Sequence, residues 1–181
     1  MYIMKYKSLN GQTALGNGYV SSSNSAPLAT GTLNTNGLDY GSTANQTTAM
    51  KFAGIENFWG NIWKWTDGCV TNSSRAILTT TTGFNDSGSN YEFTTTGPIN
   101  DTYGFMITPQ GTSEAGFIIK TKNGSASTYF SDYAICWASS VARFGGNWNS
   151  SLDAGPFRLD IRSSASIANS NFGARLSFFP V

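Results

Sequence analysis

FGGNWNSSLDAGPFRLDIRSSASIANSNFGARL, residues 144 to 176, joins a density of turn formers to one strictly alternating run, FRLDIR at 157 to 162. A period of two puts Arg158, Asp160 and Arg162 on one face of an extended strand and Leu159 and Ile161 on the other. By itself that is an ordinary strand with one solvated face. Gly145 and Gly146 precede the bulky Trp148, where glycine allows a close backbone approach or a positive φ. A second segment, GNIWKW at 60 to 65, has related spacing: Trp63 and Trp65 can point one way from an extended chain while Lys64 points the other. Together with Trp59 these rings read first as core, each indole N–H needing a partner.

Composition narrows the options around these segments. At 181 residues the chain suits one domain spanning 1–181, since domains commonly run to about 100 to 200 residues. Only 12% of it is charged, against about 25% in ordinary soluble domains, so solubility must come from Ser, Thr and Asn. The net charge of +1 offers no electrostatic case for nucleic acid or an anionic membrane as partner. Cys69 and Cys136 lack CxxC spacing and read as small buried hydrophobes, with one disulfide as the alternative. Histidine is absent, which removes Ser-His-Asp and Cys-His catalysis and His-rich zinc sites. No apolar run approaches the ~20 residues of a membrane span. The start MYIMKYKSLN has no apolar core of a signal peptide, so neither membrane insertion nor an export address is expected.

Residues 8–48, rich in Gly, Ser, Thr and Asn, predict a loop-rich N-terminal part with room for one short strand. In TTAMKFAGIENFWGNIWKW, Met50, Ala53, Phe58 and Ile62 come close to helical spacing, although Gly54 and Gly60 interrupt it; one helix ending near Phe58 is expected. AILTTTT at 76–82, YEFTTT at 91–96, YGFMIT at 103–108, AGFIIKTK at 115–122 and LSFF at 176–179 have strand character, most of them bounded by turn formers.

The chemical inventory is thin. A glycosidase needs two carboxylates about 5 to 10 Å apart, and nothing in the sequence pairs any two of the ten present. Asp67, Asp86, Asp101, Asp132, Asp153 and Asp160 are explained first by capping and turns. NDSGSN at 85–90 lacks calcium-loop spacing and reads as a plain turn, and no phosphate-binding glycine motif occurs. No cofactor and no metal is expected. Tyr129, Phe130, Tyr133, Trp137 and Trp148 stand among Ser, Asn, Gly and Ala, the mixture of rigid rings and adaptable polar groups that suits antibody loops to recognition.

GNIWKW followed by Asp67 resembles the GNVWEW segment of the formylglycine-generating-enzyme-like branch of the C-type lectin fold. RFGGNW at 143–148 resembles that branch's RGGSW, and NFGARL at 171–176 its closing IGFRL. More narrowly, the region 50–181 is similar to phage tail-tip proteins and to variable proteins diversified by retroelements. The resemblance implies an α+β, C-type-lectin-like fold: a small antiparallel sheet, one or two helices and long irregular loops. LSFF would pair with an early strand such as MYIMKYK, and Arg175 would hold a buried carboxylate or carbonyls as part of the scaffold. Departures from the branch matter as well. Residues 137–181 lack the cysteines of its formylglycine-forming enzymes, the chain lacks the histidines of its iron enzymes, and Lys64 replaces the motif's glutamate. Calcium-dependent sugar motifs are absent too.

The resemblance therefore implies a non-enzymatic domain that binds a bacterial cell-surface protein or glycan. It would be displayed at a virion tail tip or on a bacterial cell surface, as a homotrimer by analogy. Its binding region would be 133–176. The exposed, replaceable positions would be Tyr133, Ala134, Ile135, Trp137, Ser139, Ser140, Arg143, Asn147, Asn149, Ser151, Asp153, Arg158, Asp160, Arg162 and Ile167. Adenine changes in an Asn codon cannot produce Trp137. Two rivals stand beside this expectation: a catalytic relative or polysaccharide-degrading tail component, and a purely structural fibre cap.

Overall fold

Left-handed backbone replaces the helix expected before Phe58. The computed structural model describes residues 14–42, 46–95, 103–110, 118–125 and 133–174. Within it, β1 (Lys51–Phe52) and β2 (Ile55–Glu56) form a hairpin in register Lys51↔Glu56 and Phe52↔Ile55. Its turn residues Ala53 and Gly54 lie at φ 51° and 81°, the pair of positive values that a two-residue type I′ turn requires. Asn57, Gly60 and Asn61 follow at φ 51°, 70° and 60°, each incompatible with a right-handed helix. Of the residues at helical spacing, Met50 is buried with Leu15, Phe52 and Trp59, while Ala53 and Phe58 lie half-buried against that cluster; Trp59 Nε1 donates to the Gly16 carbonyl at 3.0 Å.

The remaining strands are β3 (Trp63–Thr71), β4 (Ile77–Thr79), β5 (Phe93–Thr95), β6 (Gly104–Gln110), β7 (Ile118–Lys122), β8 (Tyr133–Cys136), β9 (Val141–Phe144), β10 (Leu159–Ser163) and β11 (Phe172–Gly173). They make a curled sheet in the order β5-β4-β3-β9-β10-β8-β6-β7, with β11 beside the first residues of β3. Each run expected to be a strand between 76 and 122 contains one. The α+β expectation is corrected: the described residues hold no α-helix, only a 3-10 turn at Ser151–Asp153. Nor is the sheet small and antiparallel. It is mixed, with β8 parallel to β10 and β11 parallel to β3. β-branched Thr and Ile favour extended chain, and the Asn and Gly between them take up the turns. The expected pairing of LSFF with MYIMKYK, the role given to Arg175, and Tyr129 and Phe130 all lie outside the described residues.

Side chains on one face of the sheet form the main core. Cys69, Ile77, Ile118, Cys136, Ala142 and Ile161 pack together, with Leu159 against them, so the apolar half of FRLDIR points inward as its period requires. Asparagine side chains hold the N-terminal loops to this body. Asn61 accepts from Leu28 N at 2.8 Å and donates to Leu28 O at 2.9 Å, as a strand neighbour would, and Asn17 Nδ2 donates to Ala154 O at 2.6 Å.

Both cysteines are free and buried. Burial, with Cys136 alongside, pushes the Cys69 thiol up to about 12. Burial also raises Cys136 to about 11, against the pull of Lys122 and Arg75. Near pH 8 each is thiolate in about one molecule in a thousand or fewer. The folded protein should therefore resist a chromogenic thiol reagent for as long as it stays folded, while a urea-unfolded sample reacts at both positions; rapid labelling of the native protein would contradict the burial.

Candidate functional site

The three motif segments that lie far apart in sequence meet around one guanidinium group. β9 pairs with β3 so that Arg143 faces Trp65 and Phe144 faces Lys64, while β11 places Phe172 opposite Trp63. Arg143 Cζ then sits 4.5 Å from the ring centroids of both Trp63 and Phe172. Trp65 stacks on Phe172 at 5.2 Å and 13°. Arg158 Cζ lies 4.9 Å from the Trp63 ring and 5.7 Å from that of Tyr133, and Arg162 Cζ lies 4.7 Å from the ring of Tyr103. Cations and aromatic rings thus alternate along one wall, each contact being worth about 0.5 to 2 kcal/mol.

Backbone contacts fix the same convergence. Gly60 N donates to Gly145 O at 2.9 Å, Trp148 N to Asn61 O at 2.8 Å and Trp63 N to Asn171 O at 2.8 Å. Gly145 and Gly146 lie at φ 90° and 84°. A Cβ on Gly145 would come within 3.1 Å of the Trp59 Cα, and one on Gly146 within 2.7 Å of the Ala154 Cβ. The glycine pair therefore serves both roles expected of it. Lys64, at the motif's glutamate position, is buried and donates to the Gly60 carbonyl at 2.6 Å.

Asp160 lies beneath this wall. Its Oδ2 is 3.2 Å from Arg143 Nη2 and 3.1 Å from Arg162 Nε, while Asp153 Oδ2 is 3.3 Å from Arg158 Nη1. Burial pushes the Asp160 carboxyl above its ordinary range even against Arg143 and Arg158, and burial lowers Arg143 even against Asp160. Desolvation thus outweighs attraction on both partners, the usual balance for an ion pair taken out of water. Such a pair specifies geometry more than it adds stability.

Above it opens a cleft of about 590 Å³. Of the sequence candidates, Tyr133, Trp137, Arg143, Asn147, Asn149, Asp153, Arg158, Arg162 and Ile167 line it. Exposure, however, is corrected for several: Arg143, Arg158 and Asn147 are buried in its floor and walls, and Asp160 is fully enclosed. Two of the three residues on the polar face of FRLDIR are therefore withdrawn from solvent by neighbouring rings and carboxylates, and Arg162 stays half-buried. Ala134 and Ile135 are buried in β8, where the strand's own alternation is overridden by cover on both faces. Ser140 is buried in the β8–β9 connection, where its N–H donates to Thr71 Oγ1 at 3.0 Å. Ser139 is exposed but outside the cleft. Ser151 N donates to Val20 O at 2.6 Å, giving Ser151 a place in holding the N-terminal loops. Trp137 and Ile167 are exposed at 45% and 42%.

Sequence reasoning missed Trp63, Tyr103, Ser150, Ser163, Asn169, Asn171 and Phe172 as lining residues. Trp63, read from the sequence as core, and Phe172, in the closing motif, pack with Arg143 and also form the cleft wall. Tyr103 immediately precedes β6, a strand whose neighbour β8 is set by the tertiary pairings Gly104↔Ala134 and Phe105↔Tyr133. Compared with protein-family models, curated proteins and solved structures, the chain matches none.

Asp160→Asn should lower the stability to urea by about 3 to 5 kcal/mol, the usual effect of leaving a buried cation uncompensated. Adding Arg143→Met should recover part of that loss in a double-mutant cycle. A loss below about 1 kcal/mol would show that the wall stands without its carboxylate.

Proposed function

We propose that this protein is a non-enzymatic binding domain, displayed at a phage tail tip or on a bacterial surface, that recognises a bacterial cell-surface protein or glycan. The observation that carries the proposal is the convergence of nine of the fifteen candidates on one cleft, above a wall built from all three motif segments. Rigid rings supply contact area at little entropy loss, and Asn and Ser side chains supply adaptable hydrogen bonds. The resemblance of GNIWKW, RFGGNW and NFGARL to the formylglycine-generating-enzyme-like branch adds the display setting, in which a homotrimer would multiply weak sites by avidity.

Mechanistically, the floor holds still and the rim selects. Arg143 is held by Asp160 and Arg158 by Asp153, both arginines lying against the aromatic wall, while Trp137, Asn149 and Ile167 stand where a ligand meets them first. A catalytic reading has one observation in its favour: burial raises both Asp153 and Asp160, and perturbed carboxylates often mark active sites. Each carboxylate is also ion-paired to arginine, which suits a structural role as well.

Purified domain applied to bacterial cells and to glycan and protein arrays should bind. Trp137→Ala and Asn149→Ala should each weaken binding by about tenfold or more without moving the thermal midpoint. Failure of an intact, correctly oligomerised sample to bind any surface would overturn the proposal, and release of reducing ends from polysaccharide would replace it with the catalytic reading.

A further inference from the structure

Trp137 borders two hollows at once. It lines the main cleft and also a second one of about 230 Å³, formed with Ser73, Ser74, Arg75 and Ala138. Apart from Trp137 and Ala138, the lining of the second hollow comes from the connection between β3 and β4, outside the region that the sequence marked for recognition. Its wall is pre-shaped. Asn72 Oδ1 accepts from Ser74 N at 3.0 Å, Ser74 Oγ at 2.8 Å and Ala76 N at 2.9 Å. The Asn72 carbonyl accepts from Arg75 N and from Ser139 N, each at 3.0 Å, tying this loop to the β8–β9 connection. Arg75 is held at φ 64°, a strained value for a residue with a side chain that persists only where its surroundings impose it. The Trp137 backbone is pinned as well: its N–H donates to Ile161 O at 2.6 Å, and its carbonyl accepts from Thr71 Oγ1 at 2.6 Å. The backbone that carries the indole is therefore held in place between the two hollows.

The chemistry on either side of Trp137 agrees. Arg143, Arg158 and Arg162 outnumber Asp153 and Asp160 by one positive charge at the main cleft, and Arg162 keeps 30% of its side chain exposed there. Arg75 is the charged residue in the lining of the second hollow, beside two hydroxyls. Amides, hydroxyls, a flat half-exposed ring and an arginine in each hollow suit a ligand that has hydroxyls, apolar ring faces and repeated carboxylates. A protein interface instead favours a contiguous apolar core with charge depleted from its centre. These linings are concave, set aromatic rings among polar groups and carry arginine in both hollows.

We infer that the two hollows are successive subsites for one extended acidic polysaccharide, which crosses Trp137 and presents carboxylates toward Arg162 on one side and Arg75 on the other. The inference rests on the binding function proposed above and narrows its ligand to an acidic glycan. Chain length then becomes a determinant of affinity, because only an oligomer long enough to cross Trp137 gains the second set of contacts.

The test is calorimetric titration of the whole protein with galacturonic acid oligomers of increasing length, and with neutral glucose oligomers of the same lengths. Affinity should rise with length and then level off, weaken with added salt, and exceed that for neutral oligomers by about tenfold or more, as charge-assisted hydrogen bonds do. Arg75→Gln should flatten the length dependence, and Trp137→Ala should reduce affinity at every length, with far-ultraviolet circular dichroism unchanged in both. Equal binding of neutral oligomers, or an unaltered length dependence in Arg75→Gln, would overturn the inference. Binding to bacterial cells or to an acidic peptide, with no binding of either oligomer series, would reject the acidic glycan while leaving the binding function intact. Absence of binding to cells and arrays alike would remove both.

Discussion

Arg143 holds the structure at its crossing point. The group is permanently charged and buried, and it is tolerable there only because Trp63 and Phe172 offer ring faces at 4.5 Å and Asp160 offers a carboxylate at 3.2 Å. Each partner comes from a different strand: β3, β11 and β10. A cation that needs all three at once makes any other register of those strands expensive, since a slip by one residue would send Arg143 to the opposite face. The buried ion pair thus acts as a registration device. Its partners are pushed by burial toward their neutral forms, as expected where attraction does not repay desolvation.

A low charge content shapes the rest. Where many proteins would place helices over a curled sheet, this chain lays irregular loops on it and secures them by side-chain amides. Asn17, Asn24 and Asn61 reach carbonyls of segments remote in sequence, and Asn85 organises its own turn by accepting from Ser87 and Ser89. Asparagine is suited to both tasks, since it carries donor and acceptor together and tolerates left-handed backbone. Loops held in this way cover the core and still leave an open cleft for function.

Strand positions between 76 and 122 were legible because β-branched runs bounded by turn formers have few other uses. The same logic failed at Met50–Phe58. There apolar spacing near a helical period coincided with an Ala-Gly turn, and of the spaced residues the hairpin region buries Met50 and leaves Ala53, Phe58 and Ile62 half-buried. Inward packing of Leu159 and Ile161 was legible from alternation alone. The fate of the opposite face was not, because burial of Arg158 and Asp160 depends on rings contributed by β3 and β8. Tyr103 and Phe172 joined the cleft through strand pairings that no local pattern encodes.

Local chemistry in the sequence determined where the chain extends between 76 and 122, which residues of FRLDIR face the core, and that no histidine takes part in its chemistry. Tertiary structure alone decided that Arg158 and Asp160 of a seemingly solvated row of charges are buried, that motif-segment rings double as cleft walls, and that Trp137 borders two hollows. Turns and alternation depend on neighbours within a few residues. Burial of a charge depends on which distant strand arrives beside it.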